Sequence, residues 1–507
     1  MNRHCILFND NQLKARRASG AYRVANLLER LGWTVDIIDW TKSWPKHKLY
    51  EYLDKKVSDD TVMFGFSYTW MQPQWTQQFI IDLKQRYPGR KYLAGGQQFY
   101  QYDIGCDAML YGYSEMVIEC VMAWWFENGD TPQGTRPLDL GGGHLIDCNS
   151  TYPAMGLEEY SVQYAPKDCV QPDEQLTIEI SRGCKFACKY CNYAFLGIKE
   201  DTSTCEQSLR NELMENYTRW GVTNYVIADD TLNDRETKLE MLARVVESLP
   251  FEPNFSAFIR IDLVVSKPQQ MEMLSRARVW AHFYGVETFH PPAGKAVGKG
   301  MHPDRIKQGL MDMRKHMIDT LGLYRGTLGM IAGLPHETPD SWQTSEDWLR
   351  DNWSDQCWYW WPLEISTDTN TLTTSVFSRE WKEHGYRAIT DKGQVEEIDN
   401  KFNKTKTNVQ HKFDNNSLMW TADWADINEA TNFCAQFQES DSWHKKYKPL
   451  GNFSILGNIN SIGYKKILDV CDEDFRTGEF SSSGDYSAEA IERYINNKIS
   501  NIIHCTS

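Results

Sequence analysis

The strongest constraint on the fold is an alternation of short apolar segments with longer amphipathic segments, which occurs twice along the chain. Residues 1–128 carry the first alternation. Its predicted strands are Cys5–Phe8, Val35–Ile38, Val62–Ser67 and Tyr92–Ala94, and its predicted helices are Gly20–Leu31, Gln74–Gln85 and Glu115–Phe126. Strands that alternate with helices of about 10–15 residues pair in parallel and carry helices on both faces. The pattern predicts an α/β domain with a Rossmann-like, doubly wound parallel sheet, which binds ligands at the carboxyl ends of its strands.

A second alternation begins near Leu176. Its predicted strands are Leu176–Ile180, Asn224–Ile227, Asn254–Ile261, Ala281–Val286, Tyr324–Ile331 and Trp358–Ile365, and its predicted helices are Glu236–Ser248, Pro268–Ala277, Pro303–Met317 and Ser341–Asn352. About six β/α units are too many for a small domain and favour a partial (β/α)6-type barrel or a full β/α barrel.

The segments between and after these alternations complete the predicted domain organisation. Asn128–Gly143 contains five glycines and two prolines, a composition typical of linkers. We therefore expect a Rossmann-like domain over 1–128, a linker over 129–172 and a β/α domain over 173–377. Residues 378–507 are expected to form a smaller, α-rich region with one clear late helix, Ala488–Ile499.

Composition excludes several classes of protein. The 54 Lys and Arg against 69 Asp and Glu give a formal net charge of −15, whereas a general nucleic-acid binder should carry a basic surplus. No run of about 18 apolar residues predicts a membrane span, and the apolar run after Arg3 is too short for a secretory signal. We expect a cytoplasmic protein, in which a cluster of cysteines favours metal binding or catalysis over disulfides.

Three of the 13 cysteines are clustered directly after a predicted strand. Cys184, Cys188 and Cys191 are spaced by four and three residues. Three thiolates on one loop can each hold one iron of a [4Fe–4S] cluster, which leaves the fourth iron open to a substrate or cofactor. Structural zinc is the main alternative, but it usually takes four ligands in two C-x2-C pairs. The nearest further cysteines, Cys169 and Cys205, are both single.

The C-x3-C-x2-C loop, with Tyr190 just before its last cysteine, resembles the radical S-adenosylmethionine (SAM) superfamily. The resemblance implies that the open iron binds the amino and carboxylate groups of SAM. It also implies that one electron cleaves SAM to a 5′-deoxyadenosyl radical, which abstracts hydrogen from a substrate. In such enzymes the cofactor carries the chemistry, and the protein orients the reactants and excludes water.

Later motifs occur in the order that the resemblance implies. Ala228-Asp229-Asp230 replaces the family's Gly-Gly-Glu-like turn, which holds the amino group of SAM; the turn here is acidic but not glycine-rich. Arg260 and Glu287 resemble the carboxylate and ribose contacts, and Gly329–Gly333 resembles the segment that packs against adenine. The SAM contacts implied by the resemblance are Tyr190, Asp229, Asp230, Arg260, Glu287, Met330 and Ile331. The segment GKAVGKG at 294–300 lacks the spacing of a phosphate-binding loop and is discounted as one.

Glycine-bearing strand ends in the N-terminal domain resemble the cobalamin-binding domain that precedes many radical SAM domains. Gly65–Ser67, Leu93–Gly96 and Leu110–Glu115 carry the resemblance, since glycine lets a backbone approach a large planar ligand. The implied cobalamin contacts are Ser67, Gly95, Gly96, Gly112 and Glu115, with the loops Asn9–Arg17 and Ser67–Met71 flanking the corrin.

One departure concerns the cobalt ligand. The Asp-x-His-x-x-Gly signature of methionine-synthase-type domains is absent, and neither His4 nor His47 lies where a ligand is needed. Cobalamin would therefore bind without a protein histidine. The alternative is a Rossmann-like domain that has kept the fold and lost the cofactor.

The leading hypothesis is a cobalamin-dependent radical SAM methyltransferase that acts on an unactivated carbon of a small-molecule or peptide substrate. It implies a [4Fe–4S] cluster, SAM, cobalamin and an electron donor such as flavodoxin or ferredoxin. The alternatives are a radical SAM enzyme that catalyses cyclisation, rearrangement or oxidation, and a non-catalytic Fe–S scaffold protein. A methylthiotransferase is less favoured, because Cys5, Cys106 and Cys120 lie in strand-like or helix-like sequence. Trp420, Trp424 and Trp443 are candidates for closing the barrel mouth.

Overall fold

The computed structural model describes most of the chain before residue 390 and short parts beyond it. The described residues are 3–10, 16–67, 71, 73–96, 104–138, 142–148, 156–157, 161–172, 174–191, 202–354, 356–367, 375–389, 417–439 and 500. The predicted late helix Ala488–Ile499 and Trp443 lie outside them, as do parts of the loops predicted to flank the corrin.

The described strands are numbered in chain order. They are β1 His4–Asn9, β2 Arg16–Arg17, β3 Thr34–Ile38, β4 Thr61–Ser67, β5 Lys91–Gly95, β6 Ala108–Tyr111, β7 Thr135–Pro137, β8 His144–Asp147, β9 Gln175–Ile178, β10 Ser181–Arg182, β11 Thr202–Ser203, β12 Asn224–Ile227, β13 Asn254–Phe258, β14 Val279–Glu287, β15 Arg325–Ala332, β16 Cys357–Pro362, β17 Arg387–Ala388 and β18 Trp420–Thr421.

Helices connect most of these strands. They span Ser19–Arg30, Lys46–Lys56, Pro73–Arg86, Glu115–Phe126, Glu206–Trp220, Glu236–Glu247, Ile261–Ser266, Gln270–Arg276, Pro291–Ala296, Pro303–Leu321, Pro339–Asn352, Val376–Arg379 and Ile427–Glu439. Within the described residues, no helix is both long enough and apolar enough to cross a membrane.

The first sheet has the order β3-β1-β4-β5-β6-β8-β7, and all its pairs are parallel except β7 with β8. The order of its first five strands is that of a doubly wound fold whose chain direction switches between β1 and β4. Buried apolar side chains cover both faces, including Ile6 and Phe8 on one and Cys5 and Leu7 on the other. The predicted Rossmann-like domain is confirmed.

The second sheet has the order β16-β15-β14-β13-β12-β9-β2, and every pair is parallel. Six of its strands follow each other in sequence and carry helices in their connections, which is the arrangement of a β/α barrel. Its end strands β2 and β16 pair with only one neighbour each. The predicted partial (β/α)6-type barrel is confirmed.

The structure corrects the sequence predictions in three places. The segment predicted as a linker supplies β7 and β8 to the first sheet; Gly143 is needed there because a Cβ would lie 2.3 Å from the carbonyl oxygen of Cys106. The loop after β1 supplies β2 to the second sheet instead of only flanking a corrin. Asn254–Ile261 is not one strand, because Ile261 begins a helix that buries Ile261 and Val264 one turn apart.

Arg17 lies where the chain passes from the first sheet to the second, and it forms buried ion pairs with residues next to both sheets. Its guanidinium donates to both carboxylate oxygens of Glu174, at 2.7 and 2.9 Å, and to Asp39 at 2.8 Å. All three side chains are buried, where a charge must be paired to offset its lost hydration. The contact joins the loop after β3 in the first sheet to the residue before β9 in the second.

Candidate active site at the facing ends of the two sheets

The cysteine loop follows β10 at the carboxyl end of the second sheet. The side chains of Cys184, Cys188 and Cys191 are all half-buried, and the amide of Cys191 donates to the carbonyl of Cys188 at 3.1 Å. The guanidinium of Arg260 donates to Cys188 Sγ at 3.2 Å. Three soft thiol donors on one loop fit an iron–sulfur cluster.

Within the described residues, no three His, Cys, Asp or Glu side chains are arranged to hold a single metal ion. The thiolates of a cluster each bind a different iron, so they stand farther apart than ligands that share one ion. The cluster assignment of the three cysteines stays a prediction.

The glycine-rich segment 294–300 packs against the cysteine loop. The amide of Lys189 donates to the carbonyl of Val297 at 3.3 Å. Gly298 has φ +84°, and a Cβ there would lie 3.9 Å from the Cα of Cys188. The glycines of this segment, which superficially suggest a phosphate loop, therefore allow its backbone to pass close to Cys188. This contact with the cysteine loop was not predicted from the sequence.

Asp229 accepts hydrogen bonds from the residues that lead into the cysteine loop. Its carboxylate accepts from the amides of Ile180 and Ser181, at 2.8 and 3.0 Å, and from Ser181 Oγ at 2.6 Å. Burial raises the pKa of Asp229, while Lys238 and the hydrogen bonds of Ser181 oppose the rise. Asp229, one of the two predicted partners of the SAM amino group, is thus occupied by protein donors. Asp230 is half-buried beside it.

Glu287 and Tyr190 form one connected group. Tyr190 donates its hydroxyl to Glu287 Oε1 at 2.8 Å, and Lys299 lies 3.1 Å from the same oxygen. Burial raises the pKa of Tyr190, and the nearby Glu287 raises it further, so the hydroxyl stays protonated and donating. Glu287 has φ +69° at a register shift in the pairing of β14 with β15. Such backbone strain in a non-glycine residue is concentrated at functional sites.

Arg260 and the adenine segment complete the predicted SAM contacts. Arg260 is held by both carboxylate oxygens of Asp262, at 3.1 and 2.6 Å, and its guanidinium lies 3.9 Å from the ring centre of Phe186. In β15, Met330 is fully buried in the core, whereas the neighbouring Ile331 is half-buried. Successive strand residues point to opposite faces, so Met330 and Ile331 lie on opposite sides of the sheet.

The residues predicted to contact cobalamin lie at the carboxyl end of the first sheet. Ser67 and Gly95 end β4 and β5, while Gly96 and Gly112 follow β5 and β6 with φ +146° and +96°. Among the described residues, a Cβ at Gly95 would approach only Leu110, at 3.9 Å. Residues 68–70 and 97–103, which would flank a corrin, lie outside the described residues.

Glu115, a predicted cobalamin contact, pairs with an arginine that precedes the cysteine loop. It is buried, and Arg182 Nη2 donates to its Oε1. Arg182 also binds Glu179 at 2.6 and 3.0 Å and lies 4.3 Å from the ring centre of Tyr113. Since Arg182 comes two residues before Cys184, this contact brings the loop after β6 of the first sheet against the cysteine loop of the second.

The structure supports the prediction that His4 is no cobalt ligand. His4 begins β1, at the edge opposite the carboxyl ends of the strands, and its Nδ1 is hydrogen-bonded to Thr61 Oγ1 at 2.7 Å. A cobalamin at the carboxyl edge would be out of its reach.

Glu337 is a buried carboxyl behind the barrel mouth. It accepts from Thr288 Oγ1, from Trp342 Nε1 at 3.0 Å and from the amide of Leu334 at 3.1 Å. Burial raises the pKa of Glu337 to about 7, although the hydrogen bonds from Thr288 and Trp342 oppose the rise.

This raised pKa predicts a specific pH dependence of stability. A folded-state pKa above the ordinary value of 4.5 means that folding favours the protonated carboxyl. The contribution is complete below about pH 4.5 and is lost as the pH rises through about 7. Urea unfolding of the wild type and Glu337→Gln from about pH 5 to 8 should therefore show the wild type losing up to about 3 kcal/mol relative to the variant. Parallel pH curves would contradict the raised pKa.

Comparison with known proteins shows that the part of the chain that carries this site is similar to a known family. Residues 178–349 match the model of the Radical SAM superfamily. A hopanoid C-2 methylase of Rhodopseudomonas palustris (strain TIE-1) is 26% identical over 176 residues, which cover 32% of this chain and 31% of that protein. The chain thus matches about a third of the length of this curated relative.

Two solved structures have a similar fold. The first is TsrM, a radical SAM methyltransferase from Kitasatospora setae, solved with tryptophan substrate and a SAM analogue; it has a TM-score of 0.60 and 14% identity and covers 78% of this chain and 80% of that one. The second is OxsB, a cobalamin-dependent SAM radical enzyme solved with aqua-cobalamin and SAM, with a TM-score of 0.58 and 12% identity; it covers 99% of this chain and 80% of that one.

The matched residues include the cysteine loop and strands β12 to β15, so this part of the chain is similar to the Radical SAM superfamily. Beyond those residues, the described part of the chain shares the fold of TsrM and OxsB, with an N-terminal parallel sheet followed by a second parallel sheet. The resemblance predicted from the sequence is confirmed.

Proposed function

We propose that the chain is a cobalamin-dependent radical SAM methyltransferase that methylates an unactivated carbon. When bound, a [4Fe–4S] cluster and cobalamin would supply the electron that cleaves SAM to a 5′-deoxyadenosyl radical and the methyl group that is transferred. Cys184, Cys188 and Cys191 would hold the cluster, and the glycine-bearing carboxyl edge of the first sheet would hold the cobalamin. An electron donor such as flavodoxin or ferredoxin would be its redox partner.

The contact of Arg182 with Glu115 and Tyr113 carries this proposal. It joins the loop after β6 to the residues before Cys184, so the ligand-binding edges of the two sheets face each other. A methyl group and a radical can act on one carbon only if both are delivered to a shared space, and proximity of this kind supplies much of an enzyme's rate. The relatives give independent support, because a hopanoid C-2 methylase and TsrM are methyltransferases by name.

The side chains of this chain would orient SAM. Asp230 would accept from its ammonium, Arg260 would donate to its carboxylate and Glu287 would accept from its ribose. These assignments suit the charges, since oppositely charged partners make the stronger hydrogen bonds. Tyr190 and Asp262 would act indirectly, by fixing Glu287 and Arg260 before SAM arrives. Ile331 would give the adenine an apolar contact.

The neighbouring carboxylates Asp229 and Asp230 allow a matched test of this assignment. Asp229→Asn should lower the free energy of unfolding by about 2 kcal/mol, because it removes a buried charge partner of Lys238. Asp230→Asn should lower it by less than about 1 kcal/mol but should weaken SAM binding about tenfold. Urea unfolding and equilibrium dialysis of SAM measure the two effects. If the Asp230 variant binds SAM as tightly as the wild type, Asp230 does not contact SAM.

The catalytic proposal is tested by anaerobic reduction of the reconstituted protein in the presence of SAM. We expect 5′-deoxyadenosine to form, which separates an enzyme from a non-catalytic Fe–S scaffold. Iron counting separates the enzyme classes, since one cluster requires about four irons per chain and a methylthiotransferase with two clusters requires about eight. The absence of 5′-deoxyadenosine with several reductants would contradict the proposal.

A further inference from the structure

The glycine-rich segment GKAVGKG ends the helix Pro291–Ala296 in a turn that hydrogen bonds hold in place. The amide of Gly298 donates to the carbonyl of Lys295 at 3.2 Å, and the amide of Lys299 donates to the carbonyl of Gly294 at 2.7 Å. Gly298 has φ +84°. Two such bonds around a left-handed glycine form the Schellman motif, a common way to end a helix. The backbone of Lys299 therefore has a fixed position.

The first glycine of the segment serves the same turn. A Cβ at Gly294 would lie 2.7 Å from the carbonyl oxygen of Lys299, so any larger residue would push the turn away from the helix. Gly298 is needed for its positive φ, because left-handed backbone is costly for a residue with a Cβ. Both glycines are thus explained by the placement of Lys299.

The side chain of Lys299 extends from this turn to the end of β14. Its ammonium donates to the carbonyl of Gly285 and lies 3.1 Å from Glu287 Oε1. It also lies 5.4 Å from the ring centre of Tyr190. The side chains of Lys299 and Glu287 are only 17% and 10% exposed. Solvent screens a largely buried ion pair little, so the ammonium restrains the position of the carboxylate.

Glu287 needs such restraint because its backbone is strained. Its φ of +69° lies in the left-handed region, which persists in a non-glycine residue only when the surrounding contacts enforce it. The carboxylate lies over Gly285, where a Cβ would come within 2.5 Å of Oε1. Lys299 and Tyr190 supply the contacts that hold this arrangement.

Both contacts are made to one oxygen of the carboxylate. Tyr190 donates its hydroxyl to Oε1 at 2.8 Å, and Lys299 approaches the same oxygen. Among the described residues, no donor is hydrogen-bonded to Oε2 of Glu287. A carboxylate held through one oxygen presents the other in a fixed direction. Carboxylate oxygens accept from hydroxyl groups, and the ribose of SAM carries two of these.

The segment does not need Lys299 to stay attached to the barrel. The amide of Lys189 donates to the carbonyl of Val297 at 3.3 Å, and the side chains of Ala293 and Val297 are fully buried. These contacts hold the segment against the cysteine loop and the core independently. The ion pair of Lys299 therefore acts mainly on Glu287.

We propose that Lys299 is a positioning residue of the SAM site, which holds Glu287 through Oε1 and leaves Oε2 to accept from the ribose. The proposal rests on the proposed function and adds a residue to it. Lys299 acts through Glu287 and does not itself touch SAM. Tyr190 shares this role from the cysteine loop, so the ribose contact depends on both the loop and the turn.

The test is equilibrium dialysis of SAM against the reconstituted protein in two backgrounds. Lys299→Met should weaken SAM binding about tenfold in the wild type, the loss expected when a hydrogen bond to a charged group is misplaced. In the Glu287→Gln background the same change should weaken it by less than about twofold, because residues that act as one unit do not contribute additively. Lys299→Arg, which keeps the charge, should recover most of the affinity.

Lys295→Met is the matched control, because Lys295 lies on the same short helix with an exposed side chain; it should bind SAM as the wild type does. Urea unfolding checks that each variant is folded, and Lys299→Gln takes the place of Lys299→Met in the cycle if the methionine variant is not.

Three results distinguish a failure of this inference from a failure of the proposed function. Wild-type affinity in the Lys299 variant, or equal losses in both backgrounds, would overturn the positioning role alone. A wild-type protein that binds no SAM would overturn the proposed function and this role together.

Discussion

Simultaneous replacement of Cys184, Cys188 and Cys191 by alanine should abolish both the brown absorbance of a [4Fe–4S] cluster and the cleavage of SAM. The thiolates are the only soft donors that the loop offers, and a cluster cannot be retained when all of its protein ligands are removed. Visible absorption after anaerobic reconstitution and chromatographic assay of 5′-deoxyadenosine measure the two losses.

Cys205→Ala is the matched control for this experiment. Cys205 is also half-buried, but its sulfur accepts from the amide of Ser208 at the start of the helix Glu206–Trp220. The control should retain the cluster and the activity of the wild type. Full cluster absorbance in the triple variant would refute the assignment of the three cysteines.

Arg182→Met should lower the free energy of unfolding by about 3–5 kcal/mol, the cost of breaking a buried ion pair by removing one partner. The change removes one of the two guanidinium groups that contact Glu115 and Glu179; the other, Arg23, lies 3.7 and 2.8 Å from them. The side chains of Arg182 and Glu115 are only 3% and 6% exposed. Urea unfolding at neutral pH measures the effect. The retention of cobalamin should fall with it, because the loop after β6 loses its anchor on the second domain.

Two further variants isolate the cause of this loss. Arg219→Met breaks an exposed pair with Glu215 on one helix and should change the unfolding free energy by less than about 0.5 kcal/mol. Glu115→Gln in the Arg182→Met background should recover part of the loss, since it replaces a buried carboxylate that has lost its nearer cationic partner with a neutral amide. Equal losses in the Arg182 and Arg219 variants would contradict the anchoring role.

Much of the fold could be predicted because the strands and helices follow from the local pattern of apolar and polar residues. The alternation of apolar strands with amphipathic helices gave most core strands and helices to within a few residues, and Glu115–Phe126 and Asn224–Ile227 have the predicted bounds. Strand β2 could not be found in this way. It has only two residues, and it is stabilised by the ion pair of Arg17 with Glu174, which lies far along the chain.

For the site, the sequence could not predict which side chains would contact each other. Glu115 follows a glycine-bearing strand end, as a ligand contact would, but its partner Arg182 is 67 residues away. Asp229 and Asp230 are equivalent in the sequence, and only the burial of Asp229 against Ser181 separates them.

The most direct test of the account is the absorption spectrum and metal content of the protein after anaerobic reconstitution with iron, sulfide and hydroxocobalamin, followed by removal of unbound cofactor. A cobalamin-dependent radical SAM enzyme should retain a corrin band and contain about one cobalt and four irons per chain. A protein that keeps about four irons but neither cobalt nor a corrin band would contradict the cobalamin-dependent account.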